Sequence, residues 1–216
     1  MSANLNFLVS YTYAHAIDNG DFQTAPQDRT NLRGERGSGV ADLRHRVVAS
    51  WTYALPFLRR NRYLGGWQVS GIANLYTGFP FTPTSAVNTL NATGTQRPNR
   101  IGSGVLANPT VQEYFNIADF VTPPAFTFGN SGRDILYGPG TLQFDLAAMK
   151  NFALRENGAW RLQFRGEFFN IANTPQLNNP NASIGANGAG QITSAGSPAT
   201  FQRTSREIQL ALKLYF

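Results

Sequence analysis

Ile208-Gln-Leu-Ala-Leu-Lys-Leu-Tyr-Phe216 decides the fold. Side chains of an extended strand alternate between two faces. Ile208, Leu210, Leu212, Leu214 and Phe216 therefore share one face, and Gln209, Ala211, Lys213 and Tyr215 the other. One face is wholly aliphatic or aromatic, and the run ends on an aromatic carboxylate. A soluble domain rarely ends its apolar face so abruptly, so lipid is the expected neighbour of that face and a polar interior that of the other.

The same alternation recurs upstream. Six stretches are predicted as strands: about Asn4–Ala16, Arg46–Leu55, Gly66–Gly78, Thr141–Phe152, Ala159–Ile171 and Ser205–Phe216. In the first, Leu5, Phe7, Val9, Tyr11 and Tyr13 oppose Asn6, Ser10 and Thr12. In the fifth, Trp160, Leu162, Phe164 and Phe168 oppose Arg161, Gln163, Arg165 and Glu167. The connections 17–45, 79–140 and 172–204 are long, whereas 56–65 and 154–158 are short. Strict alternation of long and short links is the pattern of a membrane barrel, with long extracellular loops and short periplasmic turns. A structureless soluble loop as long as the central one is unusual. Aromatics gather at both strand ends: Tyr53, Phe57, Tyr63, Trp67, Phe152, Trp160, Tyr215 and Phe216 at one, and Tyr13, Tyr76, Phe79, Phe81, Phe168 and Phe169 at the other. Two such girdles are expected where amphipathic rings meet a membrane boundary.

Composition agrees. Only 14% of the 216 residues are charged, against about 25% in ordinary soluble domains. Aromatics make up 12%, with 21 glycines and 12 prolines. Mean hydropathy is slightly negative, and no apolar run approaches the roughly 20 residues of a membrane helix. No cysteine is present, which excludes disulfides and thiolate metal sites. The +6 charge is scattered, Arg59-Arg60-Asn61-Arg62 being its one cluster, so no nucleic-acid stripe is expected. The chain begins without a signal peptide, and six strands are too few for a single-chain bacterial barrel. Both features lead to the expectation that a plug and further strands precede Met1.

Seven segments carry a family resemblance: Ser10-Tyr-Thr-Tyr-Ala-His-Ala-Ile-Asp18, Arg44-His-Arg-Val-Val-Ala-Ser-Trp51, Gly65-Gly-Trp-Gln-Val-Ser-Gly71, Thr77-Gly-Phe-Pro-Phe81, Phe128-Gly-Asn-Ser-Gly-Arg-Asp-Ile-Leu-Tyr-Gly-Pro-Gly140, Phe164-Arg-Gly-Glu-Phe-Phe-Asn170 and the closing strand. In this order they resemble the C-terminal barrel portion of TonB-dependent outer-membrane transporters, nearest the Oar-like, carboxypeptidase-regulatory-like group of Acidobacteria. The resemblance implies an all-β fold, an antiparallel transmembrane β-barrel segment of about six strands across residues 1–216. Members have a barrel of about 22 strands with a plugged lumen. It further implies uptake of a bulky solute, energised by TonB acting on the plug, a bacterial outer-membrane location, outer-membrane lipid as a partner, and no cofactor or enzymatic chemistry. The closing residues Ile208, Leu210, Leu212, Leu214 and Phe216 are expected to be read by the barrel-assembly machinery.

Candidate sites follow. Asp145, Arg161, Arg165, Glu167, Glu207 and Lys213 fall on polar strand faces, where opposite charges pair across strands, and are expected to form a lumen network. Phe79, Phe81, Tyr114, Phe115 and Tyr137 in the central loop are candidate ligand contacts. His15 and His45, with Asp18 and Asp21, flank the first long loop, but a metal site needs several converging ligands and a polar rim is the plainer reading. Asp28 lies in the same loop without a calcium-loop spacing. Gly185, Gly188 and Gly190 lack the phosphate-loop order and read as an exposed glycine-rich loop; Asn91 and Asn181 begin chance glycosylation matches. No nucleophile elbow occurs. Two other architectures remain open: a soluble β-sandwich binding module, for carbohydrate for example, and a small adhesin or pore that closes its barrel by oligomerising.

Overall fold

The computed structural model describes residues 4–20, 25–56, 61, 63, 65–91, 94–154, 160–196 and 203–216. Six long strands form one antiparallel meander: β1 Leu5–Tyr13, β2 His45–Ala54, β3 Trp67–Tyr76, β4 Thr141–Ala153, β5 Arg161–Phe169 and β6 Glu207–Tyr215. Each pairs only with its sequence neighbours, so β1 and β6 are the edges of an open sheet. Register fixes the two faces. Phe7, Trp51, Gly71, Leu146, Phe168 and Ile208 lie in one cross-strand row, and Asn6, Thr52, Ser70, Ala147, Glu167 and Gln209 in the next. The first face is apolar, the second mainly polar.

No second sheet covers the apolar face among the described residues. Phe7 is 72% exposed and Leu210 67%. Such a contiguous bare surface marks contact with lipid or another protein and removes the soluble-sandwich alternative, which requires a covered inner face. Lys150 is the one lysine or arginine on the apolar face among the described strand residues, between Trp67 and Phe164. Its ammonium folds back onto the carbonyls of Tyr63 and Gly65, at 2.6 and 2.5 Å, beneath the Phe152 ring at 4.9 Å. A long cationic stem can thus cross an apolar belt while its head finds oxygen.

The predicted strands match the observed ones to within three residues at each end, and the outer ends of β1, β3, β5 and β6 stop sooner than predicted. β1 stops at Tyr13 because Asp42 takes the Ala16 N–H at 3.0 Å. β5 stops at Phe169 because Asn170 turns left-handed, at φ 47°, a conformation Asn tolerates better than most residues. The Asn170 amide then bonds both backbone groups of Thr174, at 3.0 and 3.1 Å.

A larger departure lies in the loops. Besides the six long strands there are eight two-residue ones, making fourteen in all among the described residues rather than six. They pair Ile17–Asp18 with Gly37–Ser38, Pro80–Phe81 with Leu136–Tyr137, Thr84–Ser85 with Ser183–Ile184, and Asn99–Arg100 with Phe120–Val121. The central and last loops thereby fold into a cap with its own core of Phe81, Phe115, Phe120, Leu136 and Ile184. Gln176 clamps the cap to the sheet: its side-chain amide pairs with Leu142 as a strand backbone would, at 2.7 and 3.1 Å. Glycine permits the tightest crossing, since a Cβ on Gly78 would lie 1.8 Å from the Gly138 carbonyl oxygen. Hydrophobic spacing alone does not reveal this core, because its residues come singly from distant turns. Phe57, Asp21 and the Arg59, Arg60 and Arg62 cluster lie outside the described residues.

Within the apolar face the Trp51 indole lies over Gly71, and a Cβ there would come 2.3 Å from the ring. Gly71→Ala is expected to cost about 1–3 kcal/mol by overpacking, read as a lowered unfolding midpoint in detergent. Trp51→Ala should remove most of that penalty in the double variant. Equal costs with and without Trp51 would show that the indole is not the constraint.

Candidate functional site

The polar face carries a concave surface running from mid-sheet to the cap. A cavity of about 450 Å³ is lined by the charged Asp145, Arg165 and Glu167 and by the apolar Leu8, Ile72 and Phe169 among others. A second, of about 400 Å³, continues outward past Asn74, Phe79, Gln143 and Arg203 and shares Asp145 and Phe169 with the first. Arg165 donates to Glu167 Oε1 at 2.6 Å. Asp145 accepts from Gln143 Nε2 at 3.1 Å and from the Asn170 N–H at 2.8 Å.

The six charged residues expected to form one network share this face but do not join. Glu207 pairs with Arg203, four residues before it. Arg161 lies over the Tyr215 ring at 4.5 Å, at the opposite end of the sheet. Lys213 stands opposite Gln163. The cross-strand partners of Glu167 are Ala147 and Gln209, so its ion pair forms along its own strand. Charges therefore dot a polar wall in local pairs.

The loop aromatics divide. Phe81 and Phe115 are 7% and 2% exposed in the cap core, with ring centroids 5.6 Å apart; they hold the cap together and, with Tyr114 and Tyr137, line a cavity of about 200 Å³. Phe79 stacks edge-on with Tyr76 at 6.1 Å and borders the outer cavity. Tyr114 is half-buried against the core, and that burial raises its phenol pKa. Tyr137 is exposed, its hydroxyl 2.9 Å from Ser38 Oγ and 3.1 Å from Arg44. The glycine-rich loop is not free in solvent either, since Ile184 is buried and Gly190 packs against Ile117.

Around the cap lies a buried ionic cluster that periodicity could not show, its members being distant in sequence. Arg97 makes a forked contact with Glu35 at 2.7 and 3.0 Å. Arg133 bonds the Glu35 carbonyl at 2.9 Å, Asp134 at 2.9 Å, and Asp18. Gln27 donates its N–H to Glu35 and its side-chain amide to Gly129 O, and accepts from the Arg97 N–H at 2.6 Å. The first long loop is thus bound to the central one by desolvated charges. Glu35 is one of nine charged residues in the first long loop, 17–45, so nothing in the sequence singles it out as the partner of Arg97.

His15 and His45 have separate partners. His15 Nδ1 is 3.1 Å from Asp42, and His45 Nδ1 is 2.9 Å from the Tyr11 hydroxyl. Asp18 is taken by Arg133, and Asp28 closes its own turn on Thr30. Burial raises the Asp42 pKa, but the Ala16 N–H, His15 and Arg44 together outweigh it and hold this carboxyl below the ordinary range.

Arg97→Met would leave Glu35 buried and uncompensated, at a cost of about 3–5 kcal/mol. Hydrogen-exchange protection of the backbone amides of Gln27 and of position 97 should fall accordingly. Glu35→Leu added to Arg97→Met should restore much of it at position 97, whose acceptor is the Gln27 side chain, but not at Gln27, whose acceptor is then gone; unchanged protection in the single variant would contradict the cluster. Asp42 behaves as a carboxylate whose folded pKa is lowered. Its contribution is present above the unfolded value of about 3.9 and is lost as pH falls through the lower folded value. Protease cleavage near Ala16 and Arg44 should therefore rise below about pH 4, and Asp42→Asn should abolish that rise.

A family model described as an outer membrane beta barrel domain matches residues 1–209. No curated protein and no solved structure matches the chain. With one bare apolar face, one polar face and a cap over one end, the chain belongs to the outer membrane beta barrel domain family and resides in the bacterial outer membrane.

Proposed function

We propose that this chain forms wall, lumen surface and outer cap of a TonB-dependent transporter of the Oar-like group that imports a bulky solute. The observation that carries the reading is the continuous concavity on the polar strand face, from Glu167 through Asp145 to Phe79 and Arg203, beneath a folded cap. A solute path needs such a wall: polar, supplied with local charge pairs, and topped by an ordered mouth. The seven motif segments support the group assignment, and their Arg133-Asp134 and Tyr137 are residues that tie the cap together. The wall itself makes and breaks no bonds. Plug and TonB are the partners that would supply gating and energy. The barrel-assembly machinery would read Ile208, Leu210, Leu212, Leu214 and Phe216; the Phe216 ring is 89% exposed and meets Trp160 at 6.0 Å.

Uptake in cells carrying the whole gene tests the proposal. Candidate siderophores, cobalamins, peptides and oligosaccharides would be supplied at limiting concentration, with TonB present or deleted. Accumulation of one class should depend on the gene and disappear without TonB. Gene-dependent uptake that survives TonB deletion would make the protein a passive pore instead.

A further inference from the structure

At the outer end of the sheet a crevice of about 900 Å³ separates the apolar face from the overhanging cap. Its wall is a single cross-strand row, Val47, Leu75 and Leu142, in register across β2, β3 and β4. Tyr114 and Tyr137 of the cap border it above, with Arg44 and His45 beside them. None of its lining residues is acidic. Asp42, the carboxylate paired with Arg44, has no exposed side-chain surface, whereas Arg44 keeps 30% of its own. The crevice therefore presents a guanidinium above an apolar wall, with the matching negative charge hidden behind it. Its volume falls within the range of about 300–1,000 Å³ typical of small-molecule sites.

We propose that this crevice seats a phosphate-bearing lipid of the outer leaflet, its headgroup on Arg44 and an acyl chain along Val47, Leu75 and Leu142. Arginine matches the geometry of phosphate oxygens, and a basic pocket at a membrane boundary is the chemistry that selects anionic lipids. A lipid is favoured over a free anion because the wall row continues directly into the bare apolar face, so a chain can pass from crevice to bilayer without crossing polar surface. A small anion would use none of that wall. The bound lipid would also brace the cap, since Arg44 contacts Tyr137 at 3.1 Å and His15 at 3.0 Å. The inference rests on outer-membrane residence and is independent of which solute is carried.

The test is lipid retention by the full-length protein, purified from outer membranes in mild detergent and weighed by native mass spectrometry. Arg44→Gln removes the cation, and Leu75→Trp fills the wall without touching charge. Arg44→Lys keeps the charge, and Arg46→Gln removes a cation two residues further on, from a side chain on the opposite, polar side. Heat-dependent gel mobility reports that each variant is folded, and Val47→Trp replaces Leu75→Trp if the latter is not. Loss of a charge-assisted contact should lower retention about tenfold in Arg44→Gln, with a comparable loss in the wall variant. Arg44→Lys and Arg46→Gln should retain lipid, and added inorganic phosphate should not displace it. Equal retention in all variants, equal loss in Arg46→Gln, or displacement by inorganic phosphate would overturn the proposal. A protein absent from the outer-membrane fraction would instead remove its premise.

Discussion

A strand in a bilayer has lipid on one side and cannot leave backbone groups unpaired, and everything else in this molecule follows from that condition. Hydrocarbon offers no hydrogen bonds, so an antiparallel ladder must satisfy each N–H and C=O while side chains serve two solvents at once. The meander of β1 to β6 does this with the shortest possible connectivity. Its period of two sends Phe7, Trp51, Leu146, Phe168 and Ile208 one way and Asn6, Thr52, Ser70 and Glu167 the other. Both edge strands offer unpaired rows among the described residues, which the membrane interior tolerates only where they are paired or covered.

Outside the membrane the governing physics changes. The long connections have water available and no lipid to order them, yet they form a packed cap. Its apolar core is small, five buried residues around Phe115. Ion pairs add what that core lacks in specificity: Arg97 on Glu35 and Arg133 on Asp18 join segments far apart in the chain, while Asp134 holds Arg133 from the next residue. Such pairs contribute modest net stability but are costly to break singly, so they favour one arrangement of the loops over many. A rigid cap in turn fixes the outer mouth of the polar concavity and the roof of the rim crevice.

The sheet was legible in the sequence because alternation is a local signal that repeats along every strand. Leu142, Phe144 and Leu146 announce their face within five residues. Strand ends were less legible, since β1 and β5 stop where Asp42 and Asn170 intervene, and neither belongs to the alternating pattern. The cap was not legible at all. Phe81, Phe115 and Ile184 meet across a hundred residues, and nothing near any one of them distinguishes a core ring from a ligand-binding ring. The same limit applies to Glu35 and Arg97, which read as scattered loop charges until their burial is known. The polar-face charges show the converse error: a shared face was legible, but the partners, such as Arg165 for Glu167 and Arg203 for Glu207, lie close by in sequence rather than across the strands.

The absence of native cysteine allows the two-faced wall to be examined directly. Single cysteines from Leu142 to Ala148, in the interior strand β4, would be spin-labelled in outer-membrane vesicles and probed with oxygen, which concentrates in lipid, and a water-soluble nickel chelate. Strict alternation is expected: positions 142, 144, 146 and 148 relaxed by oxygen, and 143, 145 and 147 by the chelate. Uniform accessibility along β4, or an alternation of the opposite phase, would contradict it.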